Sequence, residues 1–225
     1  MIFDPDGRPP ERGPETKNEW GILVIISFFF GLFLLAELAI DFTVAKLSVP
    51  FFLLSWVVLL AIHEFGHAIM ARLLGWRVDL VAIGSGKVRS RFSVLGMPVE
   101  LRTIPLSGFA VPRPTDLILP RLKQFLIYAA GPGIELFLAF AIALLIGFGE
   151  FFTRTTDVGL IAIQSFCAAA VVGATINLIP FPHRTENGNA WSDGLGMILC
   201  WKLPDEAFGD PEPSRDTDAS MRRFF

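Results

Sequence analysis

The run Ala61-Ile62-His63-Glu64-Phe65-Gly66-His67-Ala68 holds the side chains best suited to chemistry in this chain. Residues at i and i+4 of a helix lie about 40° apart around its axis, so the imidazoles of His63 and His67 can reach one metal ion. Glu64, next in chain, is then set beside that ion and not on it. This H-E-x-x-H spacing suits a zinc ion that lowers the pKa of water while the glutamate takes its proton. A catalytic zinc wants three protein ligands and an open position, so a third donor must come from elsewhere. Candidates are His183, Glu186 and Asp193 beyond the last apolar stretch, and Glu135 inside the stretch before it. The bland alternative has His63 and His67 hydrogen-bonding across helices while Glu64 is neutral or sits in a wet cavity. It must leave three ionisable groups in hydrocarbon without a compensating partner, which is expensive.

These residues have to be held by helices in lipid. Of 225 residues, 52% are apolar and 18% charged, and the mean hydropathy is +0.55. That balance excludes disorder and argues against an ordinary soluble domain. Phe is found 22 times against one Tyr, as suits helices facing acyl chains, and Gly 20 and Pro 16 suit packed or interrupted membrane helices. Four transmembrane helices are expected, over about 20–40, 50–74, 125–149 and 158–180. Residues 1–19 mix acidic and basic side chains with proline, a poor match to a short basic leader, and read as an arm ahead of the first span. Of the nineteen Lys and Arg residues, nine lie between the second and third spans, and only Lys46 and Arg154 fall to the opposite face. The positive-inside rule therefore puts both termini in the cytoplasm, and an even number of spans agrees with it.

Between spans two and three, over about 78–112, the pattern changes from helical to alternating. Lys87 to Val94, a turn at Leu95-Gly96-Met97-Pro98, and Val99 to Ile104 predict a basic β-hairpin on the cytoplasmic side. It could hold an unwound substrate as an added strand, or serve as an interfacial cover drawn to anionic lipid. Ala190 to Leu203 could form a short helix, and 204–225 reads as a flexible acidic tail. Cys167 and Cys200 have neither zinc-ribbon spacing nor disulfide density and are expected to be packing residues. A net charge of −3 points to no nucleic-acid partner. Two histidines four apart cannot take both axial sides of a haem. A metal transporter survives that argument.

The chain resembles the site-2 protease (M50) family of intramembrane metalloproteases. The resemblance is carried by the His63–His67 motif, Pro105-Leu106-Ser107-Gly108-Phe109, Ala130-Gly131-Pro132-Gly133, Asn177-Leu178-Ile179-Pro180 and Ser192-Asp193-Gly194, in the family's order over residues 61–194. It implies that His63, His67 and Asp193 bind one zinc per chain, that Glu64 is the general base, and that Asn177 helps hold the substrate or the oxyanion. A neutral amide suits that last role, because it donates without competing for the metal.

Three departures stand out. The gap from Asn177 to Asp193 is longer than the commonest pattern, as in a subgroup with an extended loop, and Glu186 is the next choice for ligand. Glu135 takes the place where the family usually has asparagine, and is read as a helix-packing or water-cavity residue. Only twelve residues separate Gly108 from Arg121, which leaves no room for the PDZ domain that some members insert there.

The expected protein is an integral protein of a bacterial cytoplasmic membrane, with residues 20–203 forming a metalloprotease domain. It would hydrolyse peptide bonds in or near transmembrane segments of membrane proteins. The competing expectation is a zinc-binding membrane scaffold or chaperone of the same fold that cleaves nothing.

Overall fold

The computed structural model describes residues 29, 31, 32, 35–37, 39, 40, 42–185 and 188–208. The arm expected over 1–19 and most of the span expected over 20–40 lie outside them. Among the described residues, three helices are long and apolar enough to cross a bilayer, with mean hydropathies of 2.1, 2.1 and 1.9 in chain order. The first, α1 (Ser48–Leu73), is entered through a 3-10 turn at Val44–Leu47. It stops where the sequence reads Leu74-Gly75-Trp76. Gly75 takes a left-handed φ of 85°, and the amides of Gly75 and Trp76 bond the carbonyls of Arg72 and Ala71, at 3.0 and 2.9 Å. This is a Schellman stop, for which only glycine is unstrained.

Two long antiparallel strands follow, β1 (Arg77–Val94) and β2 (Met97–Arg113). Their register is repeatedly shifted, and Val81–Ile83 face Val99–Leu101 on one side and Gly108–Ala110 on the other. The centre of the sheet is therefore dry: Val81 and Ala82 are fully buried. Val81, Met97 and Val99 pack with Trp76, Ala68 and Ala71 beneath the end of α1. The hairpin turn is anchored to the same helix end, where the Arg72 guanidinium donates to the Leu95 carbonyl.

Helix α2 (Pro120–Ile146) opens with a proline, whose missing N–H is no loss at a helix start. It begins five residues earlier than expected because Arg121 and Lys123 are accommodated in its first turns, and it ends earlier at Gly147, which takes a φ of 95°. Helix α3 (Val158–Leu178) is capped by Asp157, whose carboxylate accepts from the Leu160 amide at 2.8 Å. Small residues line its buried face, Ser165, Ala169, Ala170, Gly173 and Ala174, as close helix packing in lipid requires. Leu54, Phe137, Phe140, Leu144 and Val171 point outward and are exposed, the inverse of a soluble bundle.

After α3 the chain makes a small hairpin, β3 (Pro182–Thr185) with β4 (Gly188–Trp191), and then α4 (Asp193–Leu199). The short helix expected within 190–203 is thus seven residues long. The expected tail begins with an ordered turn: Asp205–Phe208 is a 3-10 helix, Phe208 is 4% exposed in the core, and Arg121 holds the Leu203 carbonyl and the Asp205 carboxylate. Composition pointed to flexibility here, and one buried aromatic ring counts against it. Residues 209–225 lie outside the described residues.

Candidate metal centre

His63, Glu64 and His67 lie on the buried face of α1, at 5%, 5% and 7% exposure. That face is close to α2 because both helices carry glycine where they meet. A Cβ on Gly66 would stand 2.8 Å from the Ala130 carbonyl oxygen, and one on Gly131 would run into the Nε2 atoms of both His67 and His63. Any larger residue at 131 would occupy the space in front of the imidazoles.

Asp193 comes from far along the chain. Ser192 fixes it there: its hydroxyl donates to the Ile179 carbonyl at 2.7 Å, accepts from the Phe181 amide at 3.0 Å and caps α4 through the Leu195 amide at 3.3 Å. Gly194 lies against the Leu178 carbonyl, too close for a side chain. The β3–β4 hairpin thus loops out and returns to the end of α3. A gap long in sequence is short in space.

The ligand atoms of His63, His67 and Asp193 all lie within 4.8 Å of one another. His63 Nε2 is 3.1 Å from His67 Nε2 and 3.0 Å from Asp193 Oδ2; His67 Nε2 is 3.3 Å from Asp193 Oδ1. Donors about 2.0–2.1 Å from a tetrahedral zinc lie about 3.3 Å from each other, so the three fit one such ion. Their chemistry fits as well. His67 Nδ1 lies 2.6 Å from the Ile127 carbonyl, and a nitrogen facing a carbonyl must donate, which leaves the Nε2 of a neutral ring as an acceptor. His63 Nδ1 lies 3.2 Å from Glu135 Oε2 without regular hydrogen-bond geometry, and a neutral ring with its proton on that side likewise offers the Nε2 lone pair. Two nitrogen lone pairs and a carboxylate then converge, an arrangement that a cation satisfies.

Glu64 packs on Gly108 of β2, where a Cβ would come within 2.7 Å of its Cγ and Oε1. The strand residue beside the candidate base is therefore Gly108, and the 87–104 segment, read as either a substrate strand or an interfacial cover, turns at Leu95 against Arg72. Asn177 is half-buried in the last turn of α3, one residue before the carbonyl that meets Gly194. Glu135 is 3% exposed and stands on the Nδ1 side of His63, away from the converging donors. His183 falls in β3, with its side chain outside the described residues, and Glu186 lies outside the described residues altogether. Sequence reasoning did not assign the clearance at Gly131, the Ile127 carbonyl or the Ser192 staple. Of these, only the Ser-Asp-Gly helix-start pattern carried a local signal.

The sequence model of peptidase family M50 matches residues 51–179, more than half of the chain. The chain is similar to the regulator of sigma-E protease RseP of Escherichia coli, 32% identical over 197 residues that cover 77% of this chain and 42% of that protein. A Campylobacter jejuni protein provisionally named a zinc metalloprotease is 30% identical over 140 residues, 56% of this chain and 35% of that protein. A chloroplastic Arabidopsis thaliana protein provisionally named a membrane metalloprotease is 30% identical over 166 residues, 63% of this chain and 36% of that protein. The chain therefore spans 35–42% of the length of these relatives.

Proposed function

The chain belongs to peptidase family M50, and on that premise we propose that it is an intramembrane zinc metalloendopeptidase that cleaves transmembrane proteins in or near their membrane-spanning segments. The observation that carries this reading is the buried convergence of His63, His67 and Asp193 next to Glu64. These three residues would hold one zinc per chain, with Asp193 preferred to Glu186 as the third ligand. When bound, the ion supplies Lewis acidity toward water and toward the scissile carbonyl.

The chain's own groups do the rest. Glu64 takes the proton of the attacking water and returns it to the leaving amine. The Asn177 amide donates to the oxyanion as it develops. A peptide bond in a helix is shielded by its own hydrogen bonds, so the substrate must unwind locally before it is cut. The strand around Pro105–Phe109, next to Glu64 through Gly108, offers main-chain pairing to such an extended segment. His67 lies six residues before the end of α1 at Leu73, which is about 9 Å at about 1.5 Å per residue. With both termini cytoplasmic, that depth puts the centre below the cytoplasmic surface of the bilayer yet within reach of its water.

The test is cleavage of a panel of co-expressed transmembrane reporters by wild type and by Glu64→Gln, each purified in detergent with its zinc quantified. Loss of cleavage in the variant with zinc kept at about one per chain is the expected result. Zinc bound equally by both proteins, with no reporter cut by either, would favour a non-catalytic zinc scaffold.

A further inference from the structure

We propose that Glu135 is a positioning residue, a carboxylate that accepts the Nδ1 proton of His63 and so fixes the orientation and donor strength of that ligand. This rests on the metal reading above. Glu135 is the single acidic residue of α2, a 27-residue apolar helix, and it is 3% exposed. An isolated carboxylate in such a place costs several kcal/mol, so it needs a partner. The partner within reach is His63: Oε2 lies 3.2 Å from Nδ1. Neither atom has a regular hydrogen bond among the described residues, so each is the other's nearest match, and a small turn of the ring aligns them. Helix α3 passes the carboxylate at Gly173, where a Cβ would be in van der Waals contact with Oε1 at 3.4 Å.

The geometry separates Glu135 from the ligand set. The two nitrogens of an imidazole lie on different edges of the ring, and His63 turns Nε2 toward His67 and Asp193. A carboxylate on the Nδ1 edge therefore stands behind the ligand. His67 is held in the same manner by the Ile127 carbonyl at 2.6 Å. Both supports come from α2, but one is a neutral dipole and the other a charge. A carboxylate behind an imidazole fixes its tautomer and makes its other nitrogen a stronger donor. Asp193 and Glu135 together also balance a divalent cation, which neutral His63 and His67 do not.

The experiment compares wild type, Glu135→Gln and Glu135→Leu as full-length purified proteins. Zinc affinity is read by competition with a chromophoric chelator, the thermal stability of the metal-free protein is measured, and the visible spectrum is recorded after loading with cobalt(II). A positioning role lowers zinc affinity by about 10–100-fold in Glu135→Leu. It lowers it less in Glu135→Gln, which keeps an acceptor, shifts the cobalt bands in both, and leaves metal-free stability unchanged or higher because a buried charge is gone. Affinities within twofold of wild type in both variants overturn the proposal, as does a loss of metal-free stability with affinity and spectrum unmoved. Should Glu135→Leu fail to fold, Glu135→Gln alone decides on the same readouts. Failure of wild type itself to bind zinc defeats the metal reading, and this proposal with it.

Discussion

At the metal centre, helices meet on glycine, and the donor atoms of His63, His67 and Asp193 stand 3.0–3.3 Å apart. In the hairpin that follows α1, strands of 18 and 17 residues run through repeated register shifts. There Arg91, its side chain 75% exposed, reaches from solvent to a largely covered Glu100 at 2.9 Å. The two regions use the same kinds of groups under different dielectric conditions. In the centre His63, His67 and Asp193 face one another away from water, so removing one leaves the other two buried with a partner lost. In the hairpin water screens whatever a substitution exposes. Mutational effects should therefore fall steeply from the first region to the second.

The largest effect is expected from Asp193→Ala. Two imidazoles alone do not complete a catalytic zinc site, so zinc in the purified protein should drop from about one per chain to less than about 0.1. Elemental analysis that found full zinc in this variant would move the third ligand elsewhere, with Glu186 first in line. Gly131→Ala comes next, since its methyl group would enter the space before both Nε2 atoms. Zinc loss together with about 1–3 kcal/mol of destabilisation is expected, the usual cost of overpacking. A variant that bound zinc normally would mean that the helix crossing is looser than the contacts imply.

Ser192→Ala probes the link between α3 and Asp193. Losing the bonds to Ile179, Phe181 and Leu195 should cost about 1–2 kcal/mol in thermal or denaturant unfolding and weaken zinc binding several-fold while leaving it detectable.

The smallest effect belongs to the hairpin. Arg91→Ala should change stability by less than about 1 kcal/mol and zinc affinity not at all. The pH response there has a definite sign. Burial raises Glu100, but Arg102 and Arg91 outweigh it and hold the carboxyl below its ordinary range. Its stabilising contribution is complete above the ordinary carboxylate pKa, and it fades as pH falls below that value and through the lowered folded one. Hydrogen exchange in β1 and β2 should accelerate over that interval. Equal acceleration at neutral pH after Arg91→Ala would show that the pair matters more than its exposure suggests.

How much could be read from the sequence follows from how local each feature is. His63, Glu64 and His67 were legible because helix periodicity alone brings them to one face. The ends of α1 and α3 were legible to within two residues, because Gly75 and Pro180 punctuate them. Asp193 stood among several candidate ligands and was singled out only through a family resemblance, since its place depends on the return of the β3–β4 hairpin and on Ser192. Glu135 was visible as an anomaly, but its neighbour is set by how closely α1 and α2 approach, which no periodicity encodes. The alternating stretch 87–104 was legible as a hairpin with two readings, substrate strand or interfacial cover, whereas the contact of Gly108 with Glu64 depends on how β2 returns toward α1. The buried Phe208 was hidden in an acidic, proline-containing context.

The most direct test of the central claim is element-specific anomalous scattering at the zinc edge from crystals of the purified, untreated protein. One peak per chain is expected, about 2.0–2.2 Å from Nε2 of His63, Nε2 of His67 and a carboxylate oxygen of Asp193, with Glu64 beside it and not bound. Ordered density for those side chains with no anomalous peak between them, or a peak that leaves Asp193 unliganded, would contradict it.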